Sequence, residues 1–231
     1  KGEESRRIPA EAGANRFIWN YRYAGPTPLE DDTKKGNRAA QRMEEGIPPR
    51  ALPGEYTVRL TMGETTVSEK LTLLPDPRLP ATDADRRAQF ELKLAIRDLV
   101  NELHQGVNQV RRLRKQVEGW EERTKGREGA ERLNEAASAL KEQLTAAERA
   151  LINLDLDTPQ PGPNRLKEKL ATLGAMSEES DDAPTQGARE VLALLREQTQ
   201  AELEKLRGLV AGDVAAFNEQ VRASDIPPVG A

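Results

Sequence analysis

The chain has 231 residues, of which 32% are charged, 36% are apolar and only 3% are aromatic, and its net charge is −4. This balance is typical of long amphipathic helices, and because neither half of the chain is strongly basic, it disfavours nucleic acid as the main partner. The absence of cysteine excludes disulfides and thiol chemistry. No apolar run approaches the ~20 residues of a membrane-spanning helix.

The first element that the sequence predicts is a strand over residues 16–23. Aromatic residues occupy every second position there, namely Phe17, Trp19, Tyr21 and Tyr23. A period of two places these side chains on one face of a strand. That face is a candidate interaction surface, since aromatic rings can stack on sugars, although packing in a core or between domains is the more common role of such residues.

A β-hairpin is predicted next, after a polar, proline-rich and glycine-rich loop at 24–53. One strand covers 55–61, residues 62–64 form a tight turn and the second strand covers 65–74. Apolar residues alternate with polar ones in both strands, which predicts one apolar and one polar face. Three strands leave open edges and an uncovered face. We therefore expect this β unit, residues 1–78, to be partial and its missing strands to lie elsewhere.

The period of the apolar residues changes from two to a helical one after Pro75. Thr82 followed by acidic residues predicts a helix start, and Gly106 on the first apolar seam predicts a close helix approach or a kink. Four helices are predicted, at about 83–120, 128–154, 163–176 and 185–222. They favour an up-down antiparallel bundle over 82–222, with the third helix short, and a loose tail at 223–231. The fold class expected is α+β, with the β unit and the bundle segregated.

Reactive side chains do not cluster in this sequence. The one histidine, His104, falls on the first helix, where we expect a surface or boundary position, and no second histidine or cysteine is available for a triad, a dyad or a zinc site. Acidic runs at 30–32, 121–122 and 178–182 fall in loops or at helix ends, where carboxylates are usually solvated. We therefore predict no catalytic, cofactor-binding or metal-binding residue and expect that the chain is not an enzyme.

Several segments, taken in order, carry a family resemblance: AGANRFIWNYRY at 12–23, LPGEYTVRL at 52–60, DPR at 76–78, NRL and KL within 164–170, DAPT at 182–185 and FN at 217–218. Together they resemble the C-terminal region of bacterial exported proteins with sortilin-like (VPS10/BNR-type) β-propeller repeats, often labelled glycosyl hydrolases. The resemblance implies an immunoglobulin-like (Ig-like) β unit before the bundle. It also implies that any hydrolase-like site would lie in the parent propeller.

The expected function is that of a non-catalytic C-terminal accessory module of a larger exported propeller protein, acting in docking, spacing or assembly. Its partner would be the propeller or the missing strands, from the same precursor or from a partner chain, and homo-oligomerisation stays open. The alternative is a carbohydrate- or peptide-binding module that uses the aromatic strand face or an open sheet edge. The resemblance implies a secreted or periplasmic protein, and the residues themselves predict no cofactor.

Overall fold

The computed structural model describes residues 11–30, 48–127, 129–155, 162–178 and 181–224. The strands are β1 (Gly54–Met62) and β2 (Thr65–Leu73). The helices are α1 (Asp83–Thr124), α2 (Glu131–Leu151), α3 (Leu166–Met176), α4 (Gln186–Leu209) and α5 (Ala215–Ala223), with a π-helical segment at Val210–Val214 between the last two. These three last pieces follow one another directly and make the fourth helix of an up-down bundle. The predicted α+β class, a small antiparallel sheet followed by four helices, is confirmed.

The hairpin forms where the alternation predicted it. β1 and β2 pair in antiparallel register, with Leu60 opposite Val67 and Tyr56 opposite Leu71. The two-residue loop begins at Gly63, whose φ of 59° is left-handed. A glycine at the first loop position suits the twist that a two-residue hairpin requires.

The predicted strand at 16–23 is wrong, because this stretch makes one isolated bridge, between Arg22 and Arg50, and is otherwise without strand pairing. The reason lies in the middle of the aromatic run. The side-chain oxygen of Asn20 accepts a hydrogen bond from the backbone N–H of Arg22 at 3.3 Å, and Tyr21 has a φ of 44°. This local turn interrupts the extended backbone. Within the described part of the chain the sheet therefore has two strands, not three.

The bundle is organised around α1, the longest helix. Thr82 begins it with a reciprocal capping box, since its hydroxyl accepts from the N–H of Asp85 at 3.2 Å and the Asp85 carboxylate accepts from its N–H at 2.9 Å. The N-terminal half of α1 shares a core cluster with α3 and α4, and its C-terminal half shares another with α2 and α5. α3 has 11 residues, so the expectation of one short helix is also met.

A glycine sets the distance between α1 and α4. A Cβ built on Gly106 would lie 2.6 Å from Cδ2 of Leu203, which is closer than two carbons can approach. Of the two explanations that the sequence left open, the structure therefore supports close helix packing. Two other predicted features fall largely outside the described residues: the middle of the loop, at 31–47, and most of the tail, at 225–231.

Candidate interaction surface

Two of the four aromatic residues predicted to form a surface pack on other elements. The Trp19 ring meets Tyr56 of β1 edge to face, with ring centroids 5.4 Å apart and an interplanar angle of 61°. The Tyr23 ring packs against Phe90 of α1 at 5.2 Å. These contacts join the extended N-terminal segment to the hairpin on one side and to the bundle on the other.

The other two aromatic residues are more open. The side chains of Phe17 and Tyr21 are 49% and 46% exposed. Because the backbone turns at Tyr21 and is not a strand, the alternation in sequence does not translate into a strand face. A binding role for these residues stays a prediction.

The hairpin presents an apolar face to solvent. Every residue of β1 and β2 except Tyr56 and Leu73 is exposed. Five large apolar side chains that share one face are 40–75% exposed, namely Val58, Leu60, Met62, Val67 and Leu71. We call these five residues, together with Glu69 between Val67 and Leu71, the hairpin face. A two-stranded hairpin with an uncovered apolar face is marginally stable by itself, and such patches on folded proteins mark interaction sites.

The opposite side of the hairpin is polar, as expected for a solvated face. It carries hydroxyl and charged side chains in both strands, namely Glu55, Thr57, Arg59, Thr61, Thr66, Ser68, Lys70 and Thr72. Glu55 and Lys70 form an exposed ion pair at 3.9 Å, and the Thr61 and Thr66 hydroxyls lie 3.1 Å apart. The polar side is stable in water, so the hairpin face is the side that a binding partner would cover.

A partly buried ionic cluster joins the segments before the hairpin to the bundle. One oxygen of Glu178, just after α3, lies 2.5 Å from Arg22 and 2.8 Å from Arg50, and the other lies 2.9 Å from Lys93 of α1. Burial raises the pKa of Glu178, but hydrogen bonds from Arg22 and Lys93 outweigh it and hold this pKa below its usual range. The expectation of a solvated acidic run at 178–182 is therefore wrong for Glu178, because three cations surround it.

Residues 24–30 form a strap that lies along α1. The helix contacts this strap through polar side chains spaced three or four residues apart, namely Arg97, Asn101, His104, Asn108 and Arg111. Asn108, for example, accepts from the N–H of Glu30 at 2.7 Å and donates to the carbonyl oxygen of Pro28 at 2.9 Å. Side chains of α1 therefore provide hydrogen-bond partners for backbone groups of the strap, which in a sheet would be paired with a neighbouring strand.

His104 is fully buried beneath the strap, so the expected surface or boundary position is wrong. Its Nδ1 lies 2.7 Å from the carbonyl oxygen of Thr27. Since a carbonyl only accepts, Nδ1 carries the proton. The residue is structural in this setting. A polar heptad-like stripe on an otherwise amphipathic helix was the sequence signal that could have revealed the strap.

Two carboxylates pair with the three arginines of the basic run at 111–115. Glu148 of α2 is 1% exposed and accepts from Arg111 Nε and from Arg114 Nη1, each at 2.7 Å. Arg112 pairs with Glu30 at 2.5 Å. These arginines join α1 to α2 and to the strap, which leaves less of their charge for an external anion.

Within the described ranges, no group of three or more histidine, cysteine or acidic side chains is arranged to hold a metal ion. Over the same residues, no helix combines the length and the apolar character needed to cross a bilayer. Comparison with protein families, with curated proteins and with solved structures finds no match for this chain. We take the hairpin face as the candidate site because of its exposed apolar side chains.

Proposed function

We propose that this chain is a non-catalytic interaction module, in which the hairpin face is the docking surface and the helical bundle is its rigid support. The observation that carries the proposal is the exposure of five large apolar side chains on one face of β1 and β2. Burying such a side chain contributes roughly 1.5–3 kcal/mol of stabilisation. Because the side chains of this face are exposed, most of that free energy is not realised in the chain alone. A partner that covers the face gains it.

The larger context of the proposal comes from the family resemblance. The module would be the C-terminal accessory part of an exported sortilin-like propeller protein, secreted or periplasmic, and would act in docking, spacing or assembly. The propeller, or strands that complete an Ig-like sheet, would cover the hairpin face. The segment order from 12–23 to 217–218 supports this context. Within the described part of the chain, no other strand pairs with the outer edges of β1 and β2, which supports a β-rich partner.

The alternative function is carbohydrate or peptide binding. The half-exposed rings of Phe17 and Tyr21 favour a sugar site. The outer edges of the hairpin, to which no other described strand pairs, favour strand addition by a peptide. The edge-to-face packing of Trp19 on Tyr56 works against the sugar version, because it engages the largest of the four aromatic rings. We therefore place docking through the hairpin face first.

The test compares two double variants of opposed residue pairs. Leu60→Thr with Val67→Thr removes an opposed pair from the apolar side, and Thr61→Ala with Thr66→Ala changes the neighbouring pair on the polar side. Only the first should reduce binding of a hydrophobic fluorescent dye to the isolated chain, while the melting temperature of the bundle stays the same in both. Loss of the folded bundle in the first variant would mean that the face belongs to the core of this chain.

The second arm of the test measures amide hydrogen exchange in β1 and β2. Covering the hairpin face should slow this exchange in the longer precursor at least about tenfold relative to the isolated chain. Equal rates in both would contradict docking of the hairpin face within the same precursor.

A further inference from the structure

A carboxylate stands at the centre of the hairpin face. Glu69 is the middle residue of β2 and pairs with Val58, the middle residue of β1. Because side chains two residues apart share a face of a strand, Glu69 points to the same side as Val67 and Leu71. Among the described residues, none forms an ion pair with it. Any partner that covers the hairpin face must therefore also cover this charge.

A second copy of the chain is a poor occupant for this reason. In a symmetric pair each copy contributes the same patch, so two hairpin faces packed together about their centres would bring two Glu69 carboxylates close to each other. Both charges would lose water, and neither would gain a cation. Charged side chains that point inward on exposed sheets are a known means of blocking self-association.

The area of the hairpin face limits how tightly a partner can bind through this face alone. Two nine-residue strands cover about 30 Å by about 10 Å, or about 300 Å². A stable interface between separate proteins buries about 800 Å² on each partner. The hairpin face alone therefore supports only weak association between separate proteins, and a stable partner must also contact surface beyond this face. Among the described residues, no further strand pairs with the outer backbone edges of β1 and β2.

We propose that the hairpin face receives the apolar face of a β-sheet that carries a lysine or arginine opposite Glu69, and that Glu69 keeps a second copy of this chain from taking that place. This inference rests on the proposed function and adds the chemistry of the partner to it. A basic side chain would satisfy the carboxylate on burial, whereas an uncharged or acidic one would leave its charge without a counterion.

The probe for this partner is the Glu69→Lys variant of the same chain, because it presents the hairpin face with a cation at its centre. The net charge of this variant is −4 + 2 = −2, so both proteins stay negative and general attraction does not drive their mixing. Sedimentation of wild type, variant and an equimolar mixture is compared at matched concentrations, with amide chemical shifts of β1 and β2 as the site-specific readout. The mixture should associate at least about tenfold more tightly than either protein alone.

Two controls distinguish the effect of the charge at position 69 from the effect of the apolar side chains around it. Glu55→Lys makes the same charge change on the polar side of the hairpin and should not associate with the wild type. Glu69→Val removes the central charge and should let the chain pair with itself, and adding Leu60→Thr to it should abolish that pairing. Unchanged chemical shifts in the bundle show that each variant is folded.

Each outcome decides between the occupants. Self-association of the wild type through β1 and β2 would overturn the inference, because a second copy would be the occupant, while docking through the hairpin face would stand. A mixture in which the amide chemical shifts of β1 and β2 stay unchanged even at about 1 mM protein, with the hairpin folded, would overturn the charge-matched sheet partner. If Glu69→Val also shows no chemical-shift change in β1 and β2 up to about 1 mM protein, the hairpin face does not dock on apolar sheets at all, and the proposed function fails with the inference.

Discussion

The Nδ1 atom of His104 donates to the carbonyl oxygen of Thr27 at 2.7 Å, and this hydrogen bond lies at the centre of the contact between the strap and α1. The imidazole is fully buried. Removing the donor leaves the carbonyl oxygen of Thr27 without this partner in a part-buried contact, and a lost hydrogen bond of this kind costs about 1–3 kcal/mol. His104 thus contributes to stability as a backbone partner of the strap.

His104→Leu should lower the free energy of unfolding by about 1–3 kcal/mol and should speed protease cleavage within residues 24–30. His104→Asn keeps a donor close to the position of Nδ1 and should recover part of the loss. Urea unfolding and limited proteolysis measure the two effects. Gln105→Leu, at the exposed neighbouring position, is the control, and equal losses at both positions would contradict this role for His104.

Glu178 should make the protein acid-sensitive. Its pKa in the folded protein lies below its usual range, so its contribution to stability is fully present above the unfolded pKa of about 4.3 and is lost as the pH falls through the lower folded pKa. Glu178→Gln should remove this part of the pH dependence and should destabilise the protein at neutral pH by about 1–3 kcal/mol, because Lys93 stays buried without its carboxylate.

Urea unfolding at several pH values between about 3 and 7 tests this expectation. Wild type and Glu178→Gln should converge in stability at the acidic end and diverge as the pH rises. Glu204→Gln, in an exposed pair with Arg207, is the control and should change little at any pH. Parallel curves for wild type and Glu178→Gln would show that the cluster does not act through this charge.

The elements that depend on local patterns were predictable from sequence. Helical periodicity predicted the four helices of the bundle, alternation with Gly63 predicted the hairpin, and Thr82 predicted the start of α1. The alternation of side chains along β2 already places Glu69 on the same face as Val67 and Leu71. Its position at the centre of the hairpin face follows only from the observed register, in which Glu69 lies opposite Val58.

Features that depend on partners distant in sequence were not predictable. The burial of His104 depends on Thr27, and the cations around Glu178 come from three separate parts of the chain. The failed strand at 16–23 has a local cause, since a side chain–backbone hydrogen bond at Asn20 competes with the extended conformation that alternation favours.

Glu148 should be among the costliest carboxylates to remove from the bundle. It is 1% exposed and accepts from two arginines of α1, and removing one member of a buried ionic group costs about 3–5 kcal/mol. Glu148→Ala should therefore destabilise the protein far more than Glu142→Ala, at an exposed position of the same helix. Adding Arg111→Met and Arg114→Met to Glu148→Ala should recover stability, and a further additive loss in unfolding experiments would contradict the buried-charge explanation.

Gly106→Ala should destabilise the protein, because the added methyl group would lie against the buried side chain of Leu203. A Cβ at this position would lie 2.6 Å from Leu203, so α1 and α4 must separate or Leu203 must change rotamer, at a cost of about 1–3 kcal/mol. Gly119 lies in the same helix with open space around it. Gly119→Ala should therefore stabilise the protein by up to about 1 kcal/mol through helix propensity, while Gly106→Ala should destabilise it.

The clash at Gly106 can be relieved by a second substitution. Leu203→Ala alone leaves a cavity and costs about 2–5 kcal/mol, but in combination with Gly106→Ala the new methyl group occupies part of that space. The double variant should therefore be more stable than the sum of the single losses predicts, by at least about 0.5 kcal/mol, which is the usual threshold for coupling between residues in contact. Additive losses in thermal unfolding would mean that the close contact between Gly106 and Leu203 does not limit the packing of α1 on α4.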